Sequence, residues 1–222
     1  MKSAVIVLAL TPAFLFAGAR SEAANRITSA AMVFQEIMNN PDQAIPQSVL
    51  RRARCVVIIP HEVQGGFIVG ARYGVGVATC RTASGRWSAP SQEVVEGGSI
   101  GFQAGGQEKD VVLIIQSKRG EEGLLSNHFT LNAGAGAVAG PVGYTAGRQT
   151  DAQFNADILT YTRSKGLFAG ADLGGATLRP DNNANRDLYG RPVTESEILS
   201  GQVPPPPAAQ RLYQELDRYS RA

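Results

Sequence analysis

The sequence predicts an α+β domain whose glycine-rich, largely antiparallel sheet is partly closed into a barrel and flanked by N- and C-terminal helices. Three observations lead there. The 222 residues are 43% hydrophobic and only 18% charged, the balance of a chain that buries a core. Apolar residues recur at three and four positions near both ends of the chain, but alternate or run continuously through its middle. The 25 glycines are also spaced rather than scattered: Gly66, Gly70 and Gly74, then Gly97, Gly101 and Gly105, then Gly136 and Gly140, and finally Gly166, Gly170 and Gly174. Positions four apart in a strand share a face, so bare stripes let another element approach closely or let a sheet bend.

The chain opens with Met1-Lys2, an apolar run from Ala4 to Phe16 and the small residues Ala17-Gly18-Ala19. These are the three parts of a secretory signal peptide, expected over 1–19, with a second cleavage position after Ala23. The folded domain is then expected over 24–200. Ile27, Ala30, Ala31, Phe34, Ile37 and Met38 give a helical stripe over 26–39, and Pro46 opens a short helix ending in Arg51-Arg52. Cys55 to Ile59 is a β-branched run with the pattern of a strand buried on both faces, and Pro60 is read as its end. Strands are expected over 67–80, 87–95, 99–105, 111–117, 129–138 and 167–178, with short helices over 120–127, 152–162 and 183–188. Thr194 and Glu197 mark another helix start. The remaining 201–222 reads as a proline linker, Pro204 to Pro207, and an amphipathic helix carrying Leu212, Leu216 and Tyr219.

Several chemistries can be weighed on single motifs. Gly97-Gly98-Ser99-Ile100-Gly101 has the form of a nucleophile elbow, with Asp110 and His128 following in hydrolase order, so Ser99 is the one candidate nucleophile. The elbow needs a helix after its turn, and the glycine-rich stretch that follows does not predict one. Gly134 to Gly140 is one residue too long for a dinucleotide loop, and no Gly-Lys-Ser or Gly-Lys-Thr is present. His61 beside Glu62 lacks a second convergent group and reads as a turn histidine. Two cysteines and two histidines, each scattered singly, offer no metal site, and no cofactor is expected. If the chain turns back between His61 and Gly65, Cys55 comes to lie near Ala71 rather than Cys80. A disulfide would then need a different pairing, and two buried thiols are the alternative.

A net charge of +2 is too weak a field to argue for nucleic acid. Local basic groups carry more information. Arg51, Arg52 and Arg54 close the second helix, Lys118 and Arg119 follow a strand, and Arg163 and Lys165 precede Gly166. Each suits either a solvated surface or an anionic headgroup, because the guanidinium fork matches phosphate. The helix carrying Phe34 and Ile37 would face either the core, which is the simpler reading, or a membrane interface.

Read in order, Gly65-Gly66-Phe67 with Gly70, Gly74 and Gly76, Trp87-Ser88-Ala89-Pro90, Asp110 to Ile114, Gly140-Pro141-Val142-Gly143, Tyr161 to Phe168 and Tyr189-Gly190 resemble the SYLF domain family. The resemblance spans about 30–199. It implies a non-catalytic module that binds anionic phospholipid, phosphoinositide-like in eukaryotic relatives, some of which act at cortical actin patches. An exported chain would keep the lipid and lose the actin. The expectation is therefore headgroup binding by Arg51, Arg52, Arg54, Arg163 and Lys165 at a bacterial envelope surface, periplasmic or secreted, with Phe34 and Ile37 as apolar contacts. The alternatives are an envelope protein-interaction module or homo-oligomer, and, more remotely, a serine hydrolase using Ser99.

Overall fold

The structure, a computed structural model, describes residues 13–42, 44–66, 69–100, 105–126, 128–131, 137–140, 156–164, 167–170, 173 and 175–220. Most of the expected signal peptide, Lys165, the first three residues of the dinucleotide-like loop and several of the spaced glycines lie outside them. The elements are α1 (Ala13–Met38), α2 (Gln47–Arg52), β1 (Cys55–Gly66), β2 (Val69–Cys80), β3 (Ser91–Ile100), β4 (Gly105–Ile115), α3 (Lys118–Leu124), β5 (Phe129–Leu131), β6 (Ala137–Ala139), β7 (Ile158–Ser164), β8 (Leu167–Gly170), β9 (Ala176–Pro180), α4 (Asn182–Tyr189), α5 (Glu195–Leu199) and α6 (Ala209–Ser220).

The strands form one sheet in the order β5-β9-β3-β2-β1-β4-β7-β6, with β8 also paired to β7, and every pairing but β6 with β7 is antiparallel. Period-two alternation sorts the side chains onto two faces. Val56, Ile58, Val77, Val112, Ile114 and Leu159 face outward, beneath α1, α2, α4 and α6. Cys55, Val57, Ile59, Ala78, Val111, Leu113 and Ile115 face inward. Leu131 on one edge of the sheet and Ala137 on the other join that same inner cluster, so the sheet curls into the expected partial barrel. Val193, Ile198 and Leu199 plug one end of it, together with Leu124 of α3.

The expected end of β1 at Pro60 is corrected. The strand runs on to Gly66, and Pro60 sits in a bulge. Ile59 pairs with Val111 and Glu62 with Lys109, three steps on β1 against two on β4, leaving one extra residue. His61 takes the left-handed φ of 56° there, and its N–H donates to Asp110 Oδ1 at 3.1 Å. Proline, without an N–H, is tolerated in a strand at such a break. The bulge presses on β2: a Cβ at Gly76 would overlap the Ile58 carbonyl oxygen, and one at Gly74 would come within 2.7 Å of the Ile59 side chain. Close approach is thus the reason for glycine at these two positions.

With the longer hairpin the register changes. Cys55 faces Cys80, and the two form a disulfide, which corrects the Ala71 pairing. Two further readings are corrected. Residues 158–162, expected as the end of a helix over 152–162, belong to the strand β7, on the side of β4 away from β1; their Ile-Leu-Thr-Tyr-Thr run favours a strand. The separate strands at 87–95 and 99–105 are largely one strand, β3, with Trp87 in a lone bridge to Arg81. The other predicted helices stand with shifted ends. Thr194 and Glu197 form a complete capping box, with the Glu197 carboxylate accepting from Thr194 N at 2.7 Å. The C-terminal helix α6 docks on α1 and α2, with Leu212 and Leu216 fully buried.

Candidate functional site

Phe34 and Ile37, offered above as membrane contacts, are inside the protein. Phe34 is 0% exposed and meets the Tyr219 ring edge-on at 6.3 Å between centroids. Neither residue presents an apolar surface to a membrane in this fold.

The basic residues divide into two places. Arg163 donates from Nη1 to Glu36 Oε2 at 2.5 Å and from Nε to Asp110 Oδ2 at 2.7 Å. Burial opposes its charge, but these two hydrogen bonds outweigh burial and hold the guanidinium pKa above its ordinary value. It joins α1 to the sheet. Arg54, by contrast, lies at the end of the sheet. Its N–H donates to the Ile115 carbonyl at 2.7 Å, and its own carbonyl accepts from Arg81 N at 2.6 Å. Since Arg163 pairs opposite Asp110, five residues from Ile115 along β4, about 17 Å separates the two sites. The structure does not bring them together.

What it does bring together is a basic rim. The chain enters β1 at Arg54, leaves β2 at Arg81 and leaves β4 toward Lys118 and Arg119, all at the disulfide end. Arg51 and Arg52 are exposed in the last turn of α2, and Arg86 is exposed in the loop after β2. Three carboxylates pair here: Glu121 with Arg54 at 2.6 Å, Glu122 with Lys118 at 3.6 Å and Asp157 with Arg119 at 3.6 Å. The contributions of Arg81 and Arg86 were not anticipated. Only the hairpin register that juxtaposes Cys55 and Cys80 places them beside Arg54.

The hydrolase reading fails on geometry. Gly97 to Ile100 are extended in β3, with Ser99 opposite Gly70, so there is no strand-turn-helix elbow. Asp110 sits three strands away, roughly 14 Å across the sheet, and five residues along β4 from Gly105, which is level with Ser99; its carboxylate is held by Arg163 and the His61 N–H. His61 meets Glu108 rather than Glu62.

Two buried charge groups escaped the sequence reading. Beyond the bulge, Glu62 faces inward at 0% exposure, with Arg72 Nε 3.7 Å and Lys109 Nζ 4.0 Å from its carboxylate. Burial raises the Glu62 pKa against the pull of Lys109 and Arg72, and burial lowers that of Lys109 against the pull of Glu62. Near the plugged end, Glu93 and Glu195 lie side by side, their four oxygens without a fixed donor. Burial pushes both pKa values up; Glu93 raises Glu195 further, whereas hydrogen bonds with Ser91 and Glu195 pull Glu93 part of the way back. A carboxyl proton on the pair would supply the missing donor.

Comparison with known proteins fits this assembly. A family profile described as "Ysc84: Las17-binding protein actin regulator" matches residues 96–219. The chain belongs to the Ysc84 family, the SYLF family of the resemblance. The human SH3 domain-containing YSC84-like protein 1 is 33% identical over 183 residues, 82% of this chain and 53% of its own length. The Saccharomyces cerevisiae LAS seventeen-binding protein 3 is 35% identical over 179 residues, 79% of this chain and 39% of its own. The chain thus spans about half the length, or less, of these Ysc84 relatives. They are named for binding and for domains, not for a reaction.

Proposed function

We propose that this Ysc84-family domain binds anionic phospholipid at a membrane surface, without turnover, through the rim formed by Arg51, Arg52, Arg54 and Arg86. The observation that carries the reading is the convergence of these exposed guanidiniums on one end of a rigid sheet, where the Cys55–Cys80 bond fixes the strands that present them. An extracytoplasmic envelope surface is the proposed location, since a cystine of this kind persists in an oxidising compartment.

Vesicle flotation tests it. Anionic vesicles of phosphatidylglycerol should bind the protein at low salt and release it at high salt, and phosphatidylcholine vesicles should not bind. Replacing Arg51 and Arg52 together by Ala should weaken anionic binding by roughly 30-fold, since each basic residue near such a surface contributes about 1 kcal/mol. Unchanged binding would remove the rim from the site. A second reading, docking of a protein partner, is favoured by the relatives named for binding a protein. It predicts no flotation with either vesicle and capture of a partner that the same double variant abolishes.

A further inference from the structure

A cavity of about 660 Å³ opens beside the rim, between the loop after β2, the connection from α5 to α6, and α6 itself. Its size is that of a small-ligand site. Two guanidiniums, Arg81 and Arg86, line it against one carboxylate, Asp217, with the hydroxyls of Ser84 and Ser200 between them and Trp87 and Tyr213 as an apolar wall.

The walls are fixed before any ligand arrives. Arg81 lies over the Trp87 ring, 4.1 Å from its centroid, while Nη1 donates to the Gly85 carbonyl at 2.8 Å and Nη2 to Ser220 Oγ at 2.6 Å. The Tyr213 hydroxyl donates to the Ser88 carbonyl at 2.7 Å, tying α6 to the loop. Thr82 holds the loop closed through its N–H and hydroxyl on the Arg86 carbonyl, at 2.8 and 2.9 Å. Opposite, Gly201 takes a left-handed φ of 86°, and a Cβ there would come within 2.7 Å of Thr82 Cγ2. The two sides therefore meet closely at the base and part above it.

We propose that this cavity binds a phosphate monoester, its terminal oxygens on Arg86 and the flanking hydroxyls and its organic body against Tyr213, with the fixed Arg81 guanidinium as a neighbouring positive charge. A monoester near neutral pH carries close to two charges and three terminal oxygens, which suits two neighbouring guanidinium charges better than a diester does. Preorganised donors lower the ordering cost of binding. The ester is either the headgroup of an acidic lipid, in which case this inference deepens the membrane reading and rests on it, or a free soluble phosphate ester.

Trp87 is the chain's single tryptophan, so its fluorescence reports on the cavity alone. Titration with sn-glycerol 3-phosphate should give a saturable change, and glycerol should give none. Arg86→Ala should weaken binding roughly tenfold, about 1.4 kcal/mol, with Arg86→Lys in between. Arg86 is an exposed loop side chain whose backbone carbonyl does the structural work, so the variant keeps the loop. A second arm compares vesicles of phosphatidic acid, a monoester, with phosphatidylglycerol, a diester. Preference for phosphatidic acid that Arg86→Ala removes supports the headgroup as source. A saturable glycerol 3-phosphate response with no vesicle binding supports the cavity, assigns it a soluble ester and overturns the membrane reading. No fluorescence response, with equal binding to both vesicles, overturns the cavity and leaves the rim standing.

Discussion

The two ends of the barrel interior solve the same problem in opposite ways. At the disulfide end the inward space is filled by Val193, Ile198 and Leu199 of the α5 region and by Leu124, and burial pushes the acidic pair there, Glu93 with Glu195, toward its neutral form. At the far end, past the bulge, Glu62 stands in the interior between Arg72 and Lys109 as groups of opposite sign, and Arg72 Nε and Nη1 have no hydrogen-bond partner among the described residues although Arg72 is only 7% exposed. Neutral packing fixes the first end and mutual charge the second. The difference shows where this sheet is built to hold a shape: the rim and its cavity stand on the apolar, cross-linked end.

Removing the anion from the far end should have the largest effect. Glu62→Gln leaves Arg72 and Lys109 facing inward without a counter-charge, and stranding buried charge of this kind costs about 3–5 kcal/mol. Urea unfolding measures it. Adding Arg72→Met should recover part of the loss, because the double variant removes a charge along with its partner; no recovery would mean that Glu62 and Arg72 act independently. Cutting the other end should cost less. The Cys55–Cys80 bond closes a loop with a sequence separation of 25, for which chain entropy gives about 3.5 kcal/mol. Unfolding with and without reductant gives the number. Flotation of the reduced protein then asks whether the rim depends on the clamp.

The strands and capped helices were largely legible in the residues, whereas the buried charge groups that make this contrast were not, and the exceptions have physical causes. Cys55 to Ile59 shows a strand buried on both faces because every position is apolar, and its alternate members do enter the two cores. Thr194 and Glu197 announce their helix because capping is local chemistry. Pro60 misleads for a related reason: a residue without an N–H looks like a stop, and only the neighbouring strands show that a bulge absorbs it. Ending the strand at Pro60 put the turn between His61 and Gly65, which separated Cys55 from Cys80 and hid the approach of Arg54 to Arg81. Arg163 and Arg51 look alike in sequence, yet Glu36, 127 positions away, claims one of them. The inward turn of Glu62 toward Arg72 and Lys109 likewise follows from register, which no local pattern encodes.

The smallest effect, per unit change of condition, should come from the carboxyl pair at the plugged end. Besides Glu195, Glu93 has the Asp181 carboxylate as a charged neighbour, which also raises its pKa. In the unfolded chain both groups lose their protons near the ordinary value of 4.5, whereas burial pushes Glu93 up to about 8 in the folded protein and raises Glu195 as well. Above 4.5 the folded state therefore binds more protons than the unfolded one, and stability must fall as pH rises, by at most about 1.4 kcal/mol per pH unit for each proton held. The contribution is complete below 4.5 and is lost on the way to about 8 for Glu93 and to about 10 for Glu195. Glu96 and Glu197, whose values are lowered by the Arg179 and Thr194 hydrogen bonds, act only in the acid range below this window. Glu62 shares the sign of the pair, so the comparison is between the protein and its Glu93→Gln variant. Gln is neutral at every pH and can donate to Glu195, so the variant should show a shallower decline of the urea midpoint from about pH 5 to about pH 8. Parallel declines in the two proteins would mean that the proton is not held between these carboxyls, and the plugged end would then be as charged as the far one.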